Sequence, residues 1–337
     1  MMASRSGLIL LGVAALVGCD LPTDAPMVEQ RWIVPLDNTG IQAEEFLPDG
    51  VLMGGGVFAV AVDSFKAQGT LGELCTACVD GPGPAPAFRG TFSDSRRLPT
   101  DVVGAVLETG SVTVSVENGF SFDPLAGGGS VVLTIMDGPG GKVLGQETVS
   151  SAMPPGSTVT RGITLAGGSM APTLLASAEV ISPGGQATTI DTAEKLTLSV
   201  GAVVIQAAFV TVKAAGRSVE LDPADLNVSN IDATVLEHIQ SGSLELDILN
   251  PFAVALTMDL VIEYPGGTLT RRVDIERAAV STISLSYTGE EFRSFLGKEE
   301  VSLTGIGTVS AAAQPVLLRT DKRLDMAVTM DLTLVTG

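Results

Sequence analysis

Apolar residues recur at every second position through most of this chain. Val112, Val114 and Val116 alternate with Thr113 and Ser115, and Leu244, Leu246 and Ile248 alternate with Glu245 and Asp247. A period of two is that of a strand with one buried face. Pro-Gly, Gly-Gly and Asp-Gly steps separate the runs, and with 39 Gly and 18 Pro the chain has turn residues enough for many short strands. The expected class is all-β, in sandwich-like domains, with a few short helices. One helix is expected over 231–239, opened by Asp232, and a second over 290–296, with an acidic first turn and a stop at Gly297. Ala171 to Leu175 is expected to form a single helical turn.

The alternating pattern occurs twice. From Gly110-Ser111 to Asn118-Gly119-Phe120, the chain aligns without a gap on Gly242-Ser243 to Asn250-Pro251-Phe252. Val131 to Asp137, turning at Pro139-Gly140-Gly141, answers Leu256 to Glu263, turning at Pro265-Gly266-Gly267. Ile163 to Leu165 answers Ile283 to Leu285, Ala178 to Val180 answers Glu299 to Val301, and Lys195 to Val200 answers Arg323 to Val328. A unit of roughly 100 residues is too long for a solenoid repeat and fits a duplicated domain. The expected organisation is a signal peptide over 1–18, a stalk over 19–30 and a small N-terminal β region over 31–98. Two β domain repeats follow, over 99–215 and 216–337. The junction from Ala214 to Leu226, with Pro223, reads as a linker or edge connection. Val200 to Val212 reads as a buried strand.

The first twenty residues follow another rule. Arg5 precedes the apolar run Gly7 to Val17, which is too short to span a bilayer, and Gly18-Cys19-Asp20 follow it. Leu16-Val17-Gly18-Cys19 resembles the bacterial lipobox. That resemblance implies lipidation of Cys19, attachment of the mature chain to a membrane, and a place in the bacterial cell envelope with the body outside the bilayer. A plain cleaved signal or an N-terminal anchor is the alternative.

Charge narrows the partners. The chain has 19 Lys+Arg against 38 Asp+Glu. Loss of the signal removes Arg5 alone, leaving 18 against 38 and a net charge of −20. Such a surface repels phosphate backbones, so no nucleic-acid partner is expected.

Candidate chemistry is sparse. Cys75-Thr76-Ala77-Cys78 admits a local disulfide, a redox pair or half a zinc site. Zinc lacks further ligands, since no cysteine follows Cys78 and His238 is the one histidine. A redox pair wants a helix starting at the first cysteine, whereas Gly81-Pro82-Gly83-Pro84 follows closely. A structural disulfide is the preferred reading in an oxidising compartment. His238, beside Glu237, reads as a surface residue, and Trp32 as a core or sheet-packing residue. Asp222, Asp225 and Asn227 read as solvated linker groups, and Glu44-Glu45 and Glu299-Glu300 carry no positional signature. No catalytic residue, metal ligand or cofactor site is expected, and the chain reads as non-enzymatic.

The second unit, with Ser243 to Ile248, Asn250-Pro251-Phe252 and a Pro-Gly-Gly turn, resembles the late-embryogenesis-abundant type 2 (LEA14-like) domain, a β-sandwich with an Asn-Pro motif also found in envelope lipoproteins. The first unit departs from it at Asn118-Gly119. The duplicated modules are also similar to the tubular lipid-binding fold, which needs long helices not evident here. Three functions follow. One is a binding or structural role through two β domains, with an unknown envelope protein partner or lipid. The second is a carrier of lipid or another small apolar ligand, and the third a redox role for Cys75 and Cys78.

Overall fold

The computed structural model describes residues 27–277 and 279–336; the lipobox and Cys19 lie outside them. From the N-terminus the chain forms β1 (Val28–Pro35), β2 (Thr39–Gln42) and a 3-10 turn over Ala43–Phe46. The hairpin β3 (Val51–Gly54) and β4 (Val57–Val62) follows, then β5 (Phe65–Thr70), which enters α1 (Leu71–Leu74). Next come β6 (Gly81–Pro84), β7 (Phe88–Arg97), β8 (Val102–Asn118), β9 (Ser130–Asp137), β10 (Val143–Val149) and β11 (Thr158–Leu165). The first half closes with β12 (Gly168–Met170), β13 (Thr173–Ser182), β14 (Ala187–Ile190), β15 (Lys195–Val200) and β16 (Val203–Val212). The second contains β17 (Ser218–Asp225), α2 (Ala233–His238), β18 (Ile239–Leu249), β19 (Leu256–Tyr264) and β20 (Gly267–Ile275). It ends with β21 (Val280–Thr288), α3 (Gly289–Phe295), β22 (Ser302–Val309), β23 (Val316–Arg319) and β24 (Arg323–Thr336).

These strands make two sandwich-like units of matching topology. In the first, β11-β8-β15-β5 faces β10-β9-β13-β7; in the second, β21-β18-β24-β1 faces β20-β19-β22-β17. All these pairings are antiparallel, and the eight strands of each unit follow one another along the chain in the same order. Alternation supplies the cores: Val112, Val114, Val116, Leu133, Ile135 and Leu198 are buried in one, and Leu244, Leu246, Ile248, Met258, Leu260 and Met326 in the other. Each such side chain contributes roughly 1.5–3 kcal/mol when fully buried.

The second unit takes its first strand from the far N-terminus. β1 pairs with β24 from Val28↔Thr336 to Pro35↔Thr329, and β2 continues along β24 from Thr39↔Met326 to Gln42↔Arg323. The whole first unit is thus inserted between the first and second strands of the second. Residues 31–98, expected as a region of their own, are shared out: β1 and β2 complete the second unit, while β5 and β7 are outer strands of the first. Residues 28–30 of the expected stalk belong to β1. The expected linker is strand β17, whose pairing with β22 shifts between Leu221 and Ala224, so Pro223 sits at the irregularity, where a ladder tolerates it.

Between the units lies a bridging sheet. The first half of β8 leaves the sandwich and pairs with β16 and β12, while β4 and β23 pair with β16. β23 comes from the second unit, so this sheet joins the two through backbone hydrogen bonds.

Both expected helices are present. Asp232 caps α2 through the Thr234 amide at 2.8 Å. Thr288 and Glu291 form a reciprocal capping box on α3, and Gly297 stops it with φ +73°. Ala171 to Leu175 instead leads into β13, because Leu174 and Ala176 pair across to β9 and bury there.

Two repeat alignments shift in space. Ile163 stands opposite Val112, and Leu285 opposite Leu244; since Gly110 and Gly242 are equivalent, Ile163 answers Leu285 rather than Ile283. β13 corresponds to Ser302–Val309, whereas Glu299 to Val301 precede that strand. A shift by an even number of residues, as both of these are, preserves which face is buried, so apolar alternation alone does not distinguish the registers.

Candidate functional site

The two units share one buried device. Asn118 ends β8 and Asn250 follows β18, and both are buried. Asn118 Nδ2 donates to the carbonyls of Phe122 at 2.9 Å and Met153 at 2.6 Å, and its Oδ1 accepts from the Phe120 amide at 2.9 Å. Asn250 Nδ2 donates to Val254 O at 2.9 Å and Glu276 O at 2.7 Å, and its Oδ1 accepts from the Phe252 amide at 3.0 Å. Each amide brackets the strand end to the connection after the next hairpin. Buried carbonyls need such partners, and an asparagine supplies both donors and an acceptor at once. The Asn-Gly and Asn-Pro forms differ for a visible reason: the Gly119 amide donates to Lys195 O at 3.0 Å, and a Cβ there would lie 2.5 Å from that oxygen. Pro251 has no such proton. These asparagines are structural.

The cavity with most chemistry lies where the units meet. It has a volume of about 860 Å³ and is lined by the turn Pro48-Asp49-Gly50, by Ala61 near the end of β4 and Asp63 just after it, by the end of β7 from Ser95 to Arg97, by Leu98 to Asp101, and by Arg217 before β17. Gly50 has φ +81°, and a Cβ there would stand 3.0 Å from Pro99, so this turn needs glycine. Asp101 holds φ +72° while its carbonyl accepts from the Lys213 amide at 2.8 Å. Arg96 Nη2 meets Asp63 Oδ2 at 2.9 Å. Arg217 Nη1 donates to Leu47 O at 2.9 Å, its Nη2 lies 3.8 Å from Asp101, and its Nε is buried with no partner. Three guanidiniums and three carboxylates thus share one cleft. Guanidiniums in general can hold polar, charged groups by forked hydrogen bonds, and here Arg96 and Arg217 already spend part of that capacity on Asp63 and Leu47.

The residues singled out by sequence lie elsewhere. Cys75 and Cys78 have their sulfurs 2.08 Å apart and Cα atoms 5.3 Å apart, a disulfide, and both are buried. Cys75 caps the C-terminal end of α1, where the peptide dipole is negative; thiolate chemistry exploits the other end. His238 is exposed at the end of α2, its Nδ1 2.7 Å from Thr234 O. Asp222 accepts from Gln42 Nε2 at 2.8 Å and its carbonyl from the Thr39 hydroxyl, tying β17 to β2. Asn227 Nδ2 donates to Asp37 at 2.9 Å. Glu45 accepts from the Glu220 amide at 3.1 Å, and Glu300 occupies a turn with φ +57°. Glu44-Glu45 and Glu299-Glu300 are therefore turn residues, not strand neighbours. Trp32 is not in the core: it lies on the edge strand β1 and is 42% exposed. Among the described residues no cluster of His, Cys, Asp or Glu could hold a metal ion.

The cleft arginines were not singled out by sequence. The only available cue was an Arg96-Arg97 doublet in an acidic chain; Arg217 joins it only through the fold.

No protein-family model and no curated protein matches the chain. Among solved structures it is similar to a candidate secreted protein from Parabacteroides distasonis ATCC 8503, at 10% identity over 91% of this chain and 100% of that one, with a TM-score of 0.34. It is also similar to the N-terminal CBM22-1-CBM22-2 tandem domain from Paenibacillus barcinonensis Xyn10C, at 11% identity over 90% and 98% of the two chains, with a TM-score of 0.18. At such scores neither likeness carries an argument about function.

Proposed function

We propose that this is a lipid-anchored protein of the bacterial cell envelope, attached to a membrane through lipidated Cys19, whose two β units serve a non-enzymatic binding or structural role. The observation that carries the reading is Leu16-Val17-Gly18-Cys19 placed directly after a short basic and apolar leader. No helix of the described residues is long and apolar enough to cross a membrane. The bridging sheet and the cleft beside it give the body a joint face made by both units. The charges of that cleft favour a partner bearing polar, ionic groups over an alkyl chain. Cys75 and Cys78 act as a staple on the loop after α1.

Cell fractionation with labelled palmitate tests this reading. The wild-type protein is expected in the membrane fraction with label incorporated, and Cys19→Ala in the soluble fraction without it. A Cys19→Ala protein still firmly in the membrane fraction overturns the proposal.

A further inference from the structure

Four of the twelve large hydrophobic residues exposed among the described residues lie within one stretch: Met27 at 80%, Val28 at 47%, Trp32 at 42% and Ile33 at 62%. The others are spread along the chain, alone or as one cross-strand pair, as on ordinary surfaces. Met27 immediately precedes strand β1 and the other three lie on it; β1 pairs with β24 on one side and, among the described residues, with no strand on the other. Trp32 stands opposite Leu332 and Ile33 opposite Asp331, so the two side chains leave opposite faces of the sheet. A docking face for a protein would collect its apolar side chains on one side. An overhanging edge that is apolar on both sides instead fits a medium that closes around it.

Chain length says which medium. Eight peptide units join Cys19 to Met27, which spans at most about 29 Å when extended. Acyl chains on Cys19 therefore hold β1 close to the membrane surface. Tryptophan with flanking aliphatic residues is the side-chain set that settles at the headgroup boundary. Arg31, the basic residue between them, is already paired with Asp331. We infer that Met27, Val28, Trp32 and Ile33 form a membrane-contact edge that lies in the bilayer interface and sets the orientation of the body relative to it. This rests on the lipid anchor at Cys19 proposed above. The contact is too small to hold the protein alone; tethering supplies the effective concentration.

Trp32 is the sole tryptophan, so its fluorescence reads the contact directly. The full lipidated protein is reconstituted into vesicles of phosphatidylcholine and phosphatidylethanolamine, with or without brominated acyl chains. Emission is expected to shift to the blue, and brominated chains to quench it, as for an indole settled at the headgroup boundary. The Cys19→Ser protein mixed with the same vesicles is expected to show neither change. Ile33→Asp, at an exposed edge position, is expected to fold and float with the vesicles but lose most of the quenching. Phosphatidylglycerol is expected to weaken the contact, since the acidic body is repelled.

Protein that floats with the vesicles while Trp32 stays unquenched overturns the contact and leaves the anchor standing. Protein that does not float at all overturns the anchor as well. A blue shift without vesicles that grows with protein concentration shows β1 covered by a second copy, and also overturns the inference.

Discussion

After β11 the first unit continues into the short strand β12, whereas after β21 the second continues into helix α3. The strands on either side are equivalent, so the two connections answer one structural question differently. β12 pairs with the first half of β8 and extends the sheet that bridges the units. α3 turns inward: Phe292 and Phe295 are fully buried, their rings 5.5 Å apart, with Tyr287 5.5 Å from Phe292 and Tyr264 6.3 Å from Phe295. Gly242 makes room, since a Cβ there would lie 2.7 Å from the Phe292 ring; at Gly110, its equivalent, the nearest atom belongs to Leu165 at 3.2 Å. The segment before each central strand diverges too, with an extended β8 in one unit and α2 in the other. A duplicated sandwich thus keeps its eight strands and asparagine brackets while its connections specialise, the β12 connection reaching toward the neighbouring unit and the α3 connection closing on its own core.

The largest expected effect sets the two connections against each other. Phe292→Ala is expected to cost about 3–5 kcal/mol in the second unit, and Met170→Ala about 2–3 kcal/mol in the first. Hydrogen exchange of β18 against β8 reads which unit loosens; equal loosening of both by Phe292→Ala breaks the picture of separate closure.

The brackets are expected to be equal where the connections differ. Asn118→Ala and Asn250→Ala each orphan two carbonyls and an amide and are expected to cost roughly 2–3 kcal/mol, seen in urea unfolding. A much smaller loss for either shows that water replaces its side chain.

The helix caps come next. Thr70→Ala and Thr288→Ala each remove a capping box and are expected to cost about 1 kcal/mol. Far-ultraviolet circular dichroism during thermal unfolding checks this, with the longer α3 the more sensitive.

Acid gives the smallest, most selective effect. The Thr288 amide, and after it Arg271, hold the Glu291 carboxyl below its usual value of 4.5, and the Thr70 amide does the same to Glu73. A lowered native pKa means the stabilisation is present above 4.5 and is lost as pH falls through the folded value. Melting temperature below pH 4.5 is expected to drop in wild type and to be flatter in Glu291→Gln; Glu73→Gln, whose basic neighbour Lys195 acts without a hydrogen bond, is expected to change less. At the alkaline end, burial pushes Tyr287 up to about 12, so absorbance titration at 295 nm is expected to show a phenol that ionises late.

How much of this was legible follows from which interactions are local. Side-chain alternation, the Asp232 and Gly297 helix boundaries, and the Asn-x-Phe strand ends involve residues within a few positions of each other, so their spacing in the chain is already their spacing in space. Strand pairing is different. Every backbone offers the same donors and acceptors, so alternation says which face of a strand is buried and is silent on its neighbour. That is why the segment holding Trp32 read as β in advance, while its place beside β24, some 300 residues away, and its consequent exposure did not. The same holds for the cleft. Arg96, Asp101 and Arg217 meet because β16 and β17 carry the chain from one unit to the other there, and no run of adjacent residues records that meeting. Composition and period were enough for an all-β, duplicated body; the insertion of one unit into the other, the exposed edge and the charged joint arose only when distant strands found their partners.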